Sequence, residues 1–279
     1  MADILSVLYW QILNIDPSDS AWDRRDRFIL SKGHSCTALY AALALRGFFP
    51  VEELASYAAD GSRLMAHVSH KVPGVEFSTG SLGHGLPFGC GKALAAKRKQ
   101  LPWRTFVMLS DGELDEGSNW EAILFAPQHK LDNLIAIIDY NKIQSLGAVR
   151  DVIDLDPLAD KFRSFRWAVQ EVDGHDHAAI SGALKSCPWE PGKPSCLIAH
   201  TIKGKGVDFM ENKLLWHYRN PDLNQLADAL RQIEGAQREL RSSKNLPFRH
   251  GRIPISFLWL GIWASPSSSH SQRSFLNVS

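Results

Sequence analysis

The apolar positions of this chain form two kinds of run. Two runs are almost unbroken. One covers 104–112, Arg104-Thr105-Phe106-Val107-Met108-Leu109-Ser110-Asp111-Gly112. The other covers 133–143, from Asn133-Leu134-Ile135-Ala136-Ile137-Ile138 to Asp139-Tyr140-Asn141-Lys142-Ile143. Successive apolar residues leave no polar face, so both runs predict strands buried on both sides, as in a parallel sheet. Each ends in an oxygen-bearing side chain, Asp111 and Asn141, about thirty positions apart. The stretch 116–130 between them predicts the crossover helix.

The remaining runs have helical or short-strand spacing. Helices are predicted over 2–13, from Gly33 and His34 to about Arg46, after Pro50, over 85–99, over 177–187 and over 222–240. Short strands are predicted at 27–31, 167–172 and 195–201. The segment 61–85 is rich in Gly, Ser and His and predicts irregular structure. Strands alternating with helices give an α/β fold with a mostly parallel sheet flanked by helices. Residues 1–242 read as one domain. Beyond Ser242 the pattern dissolves into prolines, serines and isolated tryptophans, so 243–279 is expected to be a poorly ordered tail without a function of its own.

Composition narrows the function without naming it. With 44% hydrophobic residues the chain can bury a core, and 31 basic against 30 acidic side chains leave a net charge of +1. That balance offers no electrostatic basis for binding nucleic acid or an anionic membrane. The apolar stretch 253–264 is too short to span a bilayer and holds Pro254 and Gly261. Cys36, Cys90, Cys187 and Cys196 show no metal-ligand or CxxC spacing and are expected to be free thiols. A cytoplasmic location is the expectation.

In open parallel sheets, ligands bind at the carboxyl ends of strands. Asp111 and Asn141 would therefore place hard oxygen donors in one crevice, with the Ile143 carbonyl as a third. Mg²⁺ favours such oxygens and keeps phosphate oxygens in its shell. Each motif alone is an ordinary turn; their joint placement favours a magnesium ion holding a diphosphate. Gly112 allows a sharp turn beside that ligand. Of the acidic residues that follow, at most one can face a diphosphate, and Glu116 and Glu121 are candidates for a buried second layer. The turn Gly80-Ser81-Leu82-Gly83-His84-Gly85 precedes a helix and suits an anion or flat ring. His34, His67, His84 and His217 all lie in turn-like segments, where binding residues concentrate. His175-Asp176-His177 follows Asp173-Gly174 and reads as a turn and helix cap rather than a metal pair.

These segments resemble the transketolase family. The resemblance is carried by Arg25-Asp26-Arg27-Phe28-Ile29-Leu30-Ser31-Lys32-Gly33-His34, by Ser78-Thr79-Gly80-Ser81-Leu82-Gly83-His84-Gly85, by Asp111-Gly112-Glu113-Leu114-Asp115-Glu116-Gly117 through Ala122, and by Lys203-Gly204-Lys205-Gly206-Val207 to Trp216-His217. It runs from residue 1 to about 234 and is closest to the N-terminal subunit of split transketolases. It implies a thiamine diphosphate-binding fold and transfer of a two-carbon ketol unit from a ketose to an aldose. Mg²⁺ would bind to Asp111, Asn141 and the Ile143 carbonyl. Gly112, Glu113 and the turn Gly80, Ser81 and Leu82, with His84, would meet the cofactor, and Ile202 would pack near its thiazolium. His34, His67 and His217 would line the cofactor and donor sugar, and Glu116 would link the two active sites of a dimer.

Two departures stand out. Ser110 replaces the usual first glycine, and the first family helix, with a Gly-Gly-His-x-Gly segment upstream, is expected to be truncated. The resemblance also implies a separate C-terminal subunit carrying the pyrimidine-binding domain, an α₂β₂ assembly, and inactivity of this chain alone. Relatives with different chemistry, such as a 2-oxoacid dehydrogenase α subunit or a deoxyxylulose phosphate synthase, and a non-catalytic remnant, are the alternatives.

Overall fold

The structure, a computed structural model, describes residues 1–243; the expected tail beyond them lies outside the described residues. In chain order the elements are α1 (Ala2–Val7), β1 (Arg27–Leu30), α2 (Cys36–Arg46), α3 (Gly85–Arg98), β2 (Thr105–Ser110), α4 (Gly117–Gln128), β3 (Leu134–Tyr140), the hairpin β4 (Ile143–Gln144) and β5 (Gly147–Ala148), α5 (Val149–Val152), α6 (Leu158–Ser164), β6 (Ala168–Asp173), α7 (His177–Lys185), β7 (Ser195–His200) and α8 (Leu223–Ser243). Five strands form one parallel sheet in the order β1-β2-β3-β7-β6.

The alternation of side chains along the strands divides the core in two. Phe28, Phe106, Met108, Ile135, Ile137 and Leu197 point to one face, where α1, α2 and α7 pack. Ile29, Val107, Leu109, Ala136, Ile138 and Cys196 point to the other, under α3, α4 and α6. A strand sandwiched this way needs apolar residues at every position, which is why β2 and β3 read as unbroken runs. Gly89 is required by close packing: a Cβ there would sit 2.5 Å from Val107 Cγ2.

Most predicted elements are present, with informative differences. The helix expected over 2–13 is α-helical only to Val7 and continues as a π-helix over Leu8–Ile12. The helix after Pro50 is a 3₁₀ segment, Val51–Ser56. The hairpin β4–β5 and the short helices α5 and α6 were not expected, because each is too brief to show a period. The four cysteines are free thiols. No helix among the described residues is long and apolar enough to cross a membrane.

Candidate active site

The connections after β1 and β2 leave the sheet toward opposite faces: α2 packs with the first core and α4 with the second. The carboxyl ends of β1, β2, β3 and β7 are thereby left as a floor lined by loops, the place where open parallel sheets bind ligands.

Asp111 and Asn141 meet on this floor. Parallel pairing sets Ser110 beside Asp139, so the residues that follow lie side by side. Asp111 Oδ2 accepts from Lys142 N at 2.6 Å and Oδ1 from Gly112 N at 2.8 Å; Asn141 Oδ1 accepts from Ile143 N at 3.2 Å. Lys142 takes a left-handed backbone, φ 68°, to make this turn. Asp111 is buried, and none of the ion pairs among the described residues includes it. Burial pushes its carboxyl up to about 6, against the pull of the two backbone N–H groups. A desolvated carboxylate beside an amide oxygen suits a hard divalent cation. Gly112 is needed here: a Cβ would lie 2.8 Å from Gln144 Cβ, under the hairpin that carries Ile143.

Glu113 sits beneath the floor. It is fully buried and joins three loops through its carboxylate. Oε1 accepts from Ser31 Oγ after β1 and from Gly83 N in the glycine-rich turn at 3.0 Å, and Oε2 accepts from Ser110 N at 3.4 Å. Glu113 N in turn donates to Ser110 Oγ at 3.2 Å, so Ser110 and Glu113 form a capping box around Asp111. The serine that departs from the family pattern thus has a local use. Gly80 and Ser81 are exposed above this layer, with Leu82 partly so and His84 exposed at the start of α3. The ring of His67 lies beneath Gly80, 3.5 Å from where a Cβ would be.

Three of the expected histidines converge. His34 and His217 have ring centroids 6.0 Å apart, and His67, Lys32 and Lys203 are close enough to act electrostatically on His34. Lys203 Nζ lies 3.2 Å from His217 Nδ1. Protein mass around them, then the lysines, push His34 down to about 3 and His217 down to about 4. His34 is nonetheless open to solvent. Both rings are therefore neutral at neutral pH, fit to donate or accept hydrogen bonds.

Sequence reasoning missed the groups behind this layer. Lys32 is buried and ion-paired with Asp139, whose other oxygen accepts from Thr201 Oγ1 at 2.6 Å. Burial opposes the Asp139 charge, but Lys32, the N-terminal amine and the Thr201 hydroxyl together outweigh it and hold the carboxyl below its usual range. Lys32 and Lys203 stand inside the segments quoted for the resemblance, and their charge was the signal to follow. Ile202 follows Thr201 at the rim. One expectation is corrected: Glu116 and Glu121 do not form a buried second layer. Both are exposed, Glu116 as the N-cap of α4 and Glu121 within its first turns. Asp115 is only partly buried; Glu113 is the buried carboxylate.

Residues 1–220 match the family model described as transketolase, thiamine diphosphate binding domain. The chain is 44% identical over 218 residues to the 6-deoxy-6-sulfo-D-fructose transketolase subunit SqwG of Clostridium sp. (strain MSTE9), covering 78% of this chain and 79% of that one. It is also 44% identical over 234 residues to an apulose-4-phosphate transketolase subunit of Actinobacillus succinogenes, covering 83% and 84%. Among solved structures, transketolase from Campylobacter jejuni superposes with a TM-score of 0.72 at 26% identity, over 98% of this chain but only 43% of that chain. The chain therefore spans less than half of the solved transketolase and most of the length of the subunits. It belongs to the transketolase family, as an N-terminal, thiamine diphosphate-binding subunit.

Proposed function

We propose that this chain is one half of a transketolase that moves a two-carbon ketol unit from a ketose to an aldose. In this reading residues 1–242 form the diphosphate-binding domain. Asp111, Asn141 and the Ile143 carbonyl hold Mg²⁺ and, through it, the diphosphate of thiamine diphosphate. Bound there, the cofactor supplies the nucleophilic carbon that no side chain of this chain provides.

The residues present fit that group. The observation that carries the reading is Asp111: a buried carboxylate at a strand end, bonded to backbone N–H groups, beside a second oxygen donor. The turn of Gly80, Ser81 and Leu82, with Gly112, provides backbone for close approach. Glu113 acts from below as a tie between loops. His34, His67 and His217 orient sugar hydroxyls, with the neutral rings of His34 and His217 able to exchange protons with them, and Lys32 and Lys203 add positive charge. Ile202 offers an apolar contact. His84 and Glu116, both open to solvent, face outward toward partner chains.

Leu146, Leu214, Leu215 and Tyr218 are exposed near His217. This supports a separate pyrimidine-binding subunit covering the site, two copies of each chain in an α₂β₂ assembly, and no activity from this chain alone. The subunits it resembles are named for a sulfonated sugar and a phosphorylated one. Ketoses with an anionic terminal group are accordingly the donors to try first, in the cytoplasm.

The test is Asp111→Asn. Loss of the anionic ligand weakens Mg²⁺-dependent thiamine diphosphate binding by at least ~2 kcal/mol, the scale for a charged contact in a desolvated site. Titration calorimetry with the complementary subunit present measures it, and unchanged affinity would overturn the assignment. Ketose-to-aldose transfer assayed with and without that subunit tests the division of labour.

A further inference from the structure

The turn between β6 and α7 does more than cap a helix. Capping falls to Asp176, whose Oδ1 accepts from Ala178 N and Ala179 N. His175 points the other way, across the carboxyl end of the sheet. Its Nε2 lies 2.8 Å from the backbone nitrogen of Ile202. A backbone N–H can only donate, so Nε2 carries the lone pair and the ring proton sits on Nδ1. That proton faces Asp3 Oδ2 at 3.0 Å, and Asp3 Oδ1 lies 2.9 Å from His177 Nε2. A carboxylate on α1 thereby fixes the tautomer of a histidine after β6, and the histidine holds the backbone after β7. Burial works against the Asp3 charge, but the two histidine bonds outweigh it and keep the carboxyl ionised.

Ile202 is where the chain departs from the sheet. Thr201 is still tied to β3, through Thr201 N to Tyr140 O at 3.1 Å and through its hydroxyl to Asp139. The next residue past Ile202 is Lys203, which reaches His217. The direction in which Ile202 and Lys203 enter the crevice is set at the Ile202 N–H.

We propose that His175 is a positioning residue for the reaction, aiming Ile202 and Lys203 into the site through the Ile202 N–H, with Asp3 fixing its tautomer. This rests on the thiamine diphosphate reading for its functional consequence, but not for its structural one. His175→Gln places a side-chain oxygen where Nε2 was and can still accept the bond; His175→Leu cannot.

The full chain is examined by nitrogen NMR and amide exchange, and with the complementary subunit by calorimetry using Mg²⁺ and thiamine diphosphate. In the unaltered chain, His175 shows the neutral Nδ1–H tautomer. His175→Leu speeds exchange of the Ile202 amide and weakens cofactor binding, each by about tenfold, the scale of one lost hydrogen bond. His175→Gln recovers most of both. An Nε2–H tautomer, a glutamine variant no better than leucine, or a leucine variant with unaltered exchange and affinity each overturns the proposal. Should His175→Leu fail to fold, the tautomer and the glutamine variant still decide. Asp111→Asn is run alongside. If it loses cofactor while His175→Leu does not, the site reading stands and this proposal fails. If the unaltered complex binds no thiamine diphosphate, the site reading fails, and Ile202 exchange alone decides whether His175 holds the segment.

Discussion

The turn after β2 and the segment after β7 both deliver candidate-site residues, yet they are held in different ways. The turn, Ser110 to Glu116, is built from inside. Glu113 engages Ser31, Gly83 and Ser110. Asn119 Nδ2 donates to Glu113 O at 2.6 Å, and Trp120 Nε1 to Leu114 O at 2.8 Å. The segment from Thr201 to Leu223 packs mainly on itself and α8, around Val207, Met210 and Ala229. Its ties to the rest include the bond from Ile202 N to His175 and one from the Tyr218 hydroxyl to Ser145 O at 2.6 Å. It also turns Leu215, 54% exposed, and Tyr218, 55% exposed, to solvent, where the β2 turn buries Leu114 at 1%. The half of the candidate site around Asp111 is thus set by this chain's own burial. The half around His217 leaves apolar surface exposed.

The largest effect should follow from removing the tie at the better-held end. Glu113→Ala strips the acceptor from Ser31 Oγ, Gly83 N and Ser110 N at once. Buried donors left unpaired make this cost about 3 kcal/mol of stability. Burial already pushes the Glu113 carboxyl upward, so part of its charge is a burden in the native state, and Glu113→Gln should lose less. Denaturant midpoints of the two variants measure this. A Glu113→Ala variant as stable as the original chain would mean the three loops are held by something else.

Gly83→Ala attacks the same knot through the backbone. Gly83 has φ 84°, and a Cβ there would lie 2.5 Å from Ser118 Oγ and 2.7 Å from Glu116 Cβ. Left-handed strain plus that clash should cost about 2 kcal/mol, read from the same unfolding curves. The substitution also moves the glycine-rich turn off Glu113, so thiamine diphosphate binding should weaken along with stability.

The β2 end was also the more legible half in the sequence. Unbroken apolar runs reported the burial of β2 and β3 directly. Asp111 and Asn141 then followed from where those runs stop. Glu113 was legible as an acid in a turn, but not as the tie between Ser31 and Gly83, because periodicity reports faces and not which distant loop a side chain meets. His175 was hidden for the same reason: its partners, Asp3 and Ile202, are remote in the chain. The convergence of His34, His67 and His217 came from resemblance, since nothing local in three separate turns indicates a common destination. Lys32 stood unremarked within a quoted segment, yet pairing with Asp139 lets it be buried.

At the less constrained end, Tyr218→Phe removes a single hydroxyl bond to Ser145 O. Because Tyr218 is half in solvent, the global cost should be about 0.5 kcal/mol. The local consequence should be larger than the global one. Amide exchange across 204–222 should quicken while the β2 turn stays unchanged, and adding the complementary subunit should restore protection in both forms. Equal protection of the two regions in the isolated chain would erase the difference between them.

The smallest effect concerns acid. An unfolded imidazole titrates near 6.5, whereas His34 and His217 titrate at about 3 and about 4 in the folded chain. Depressed values mean that the unfolded chain binds protons first as pH falls. The stability these two groups lend is complete above pH 6.5 and is lost as pH falls through 4 and then 3. His34 is solvent-accessible and His217 only partly buried, so screening makes this contribution modest. Proton NMR of the ring resonances should find both flat between pH 5 and 8, with neutral rings throughout. An inflection near 6.5 in either would show a freely solvated imidazole. The positive charge around Asp111 would then include the histidines as well as Lys32 and Lys203.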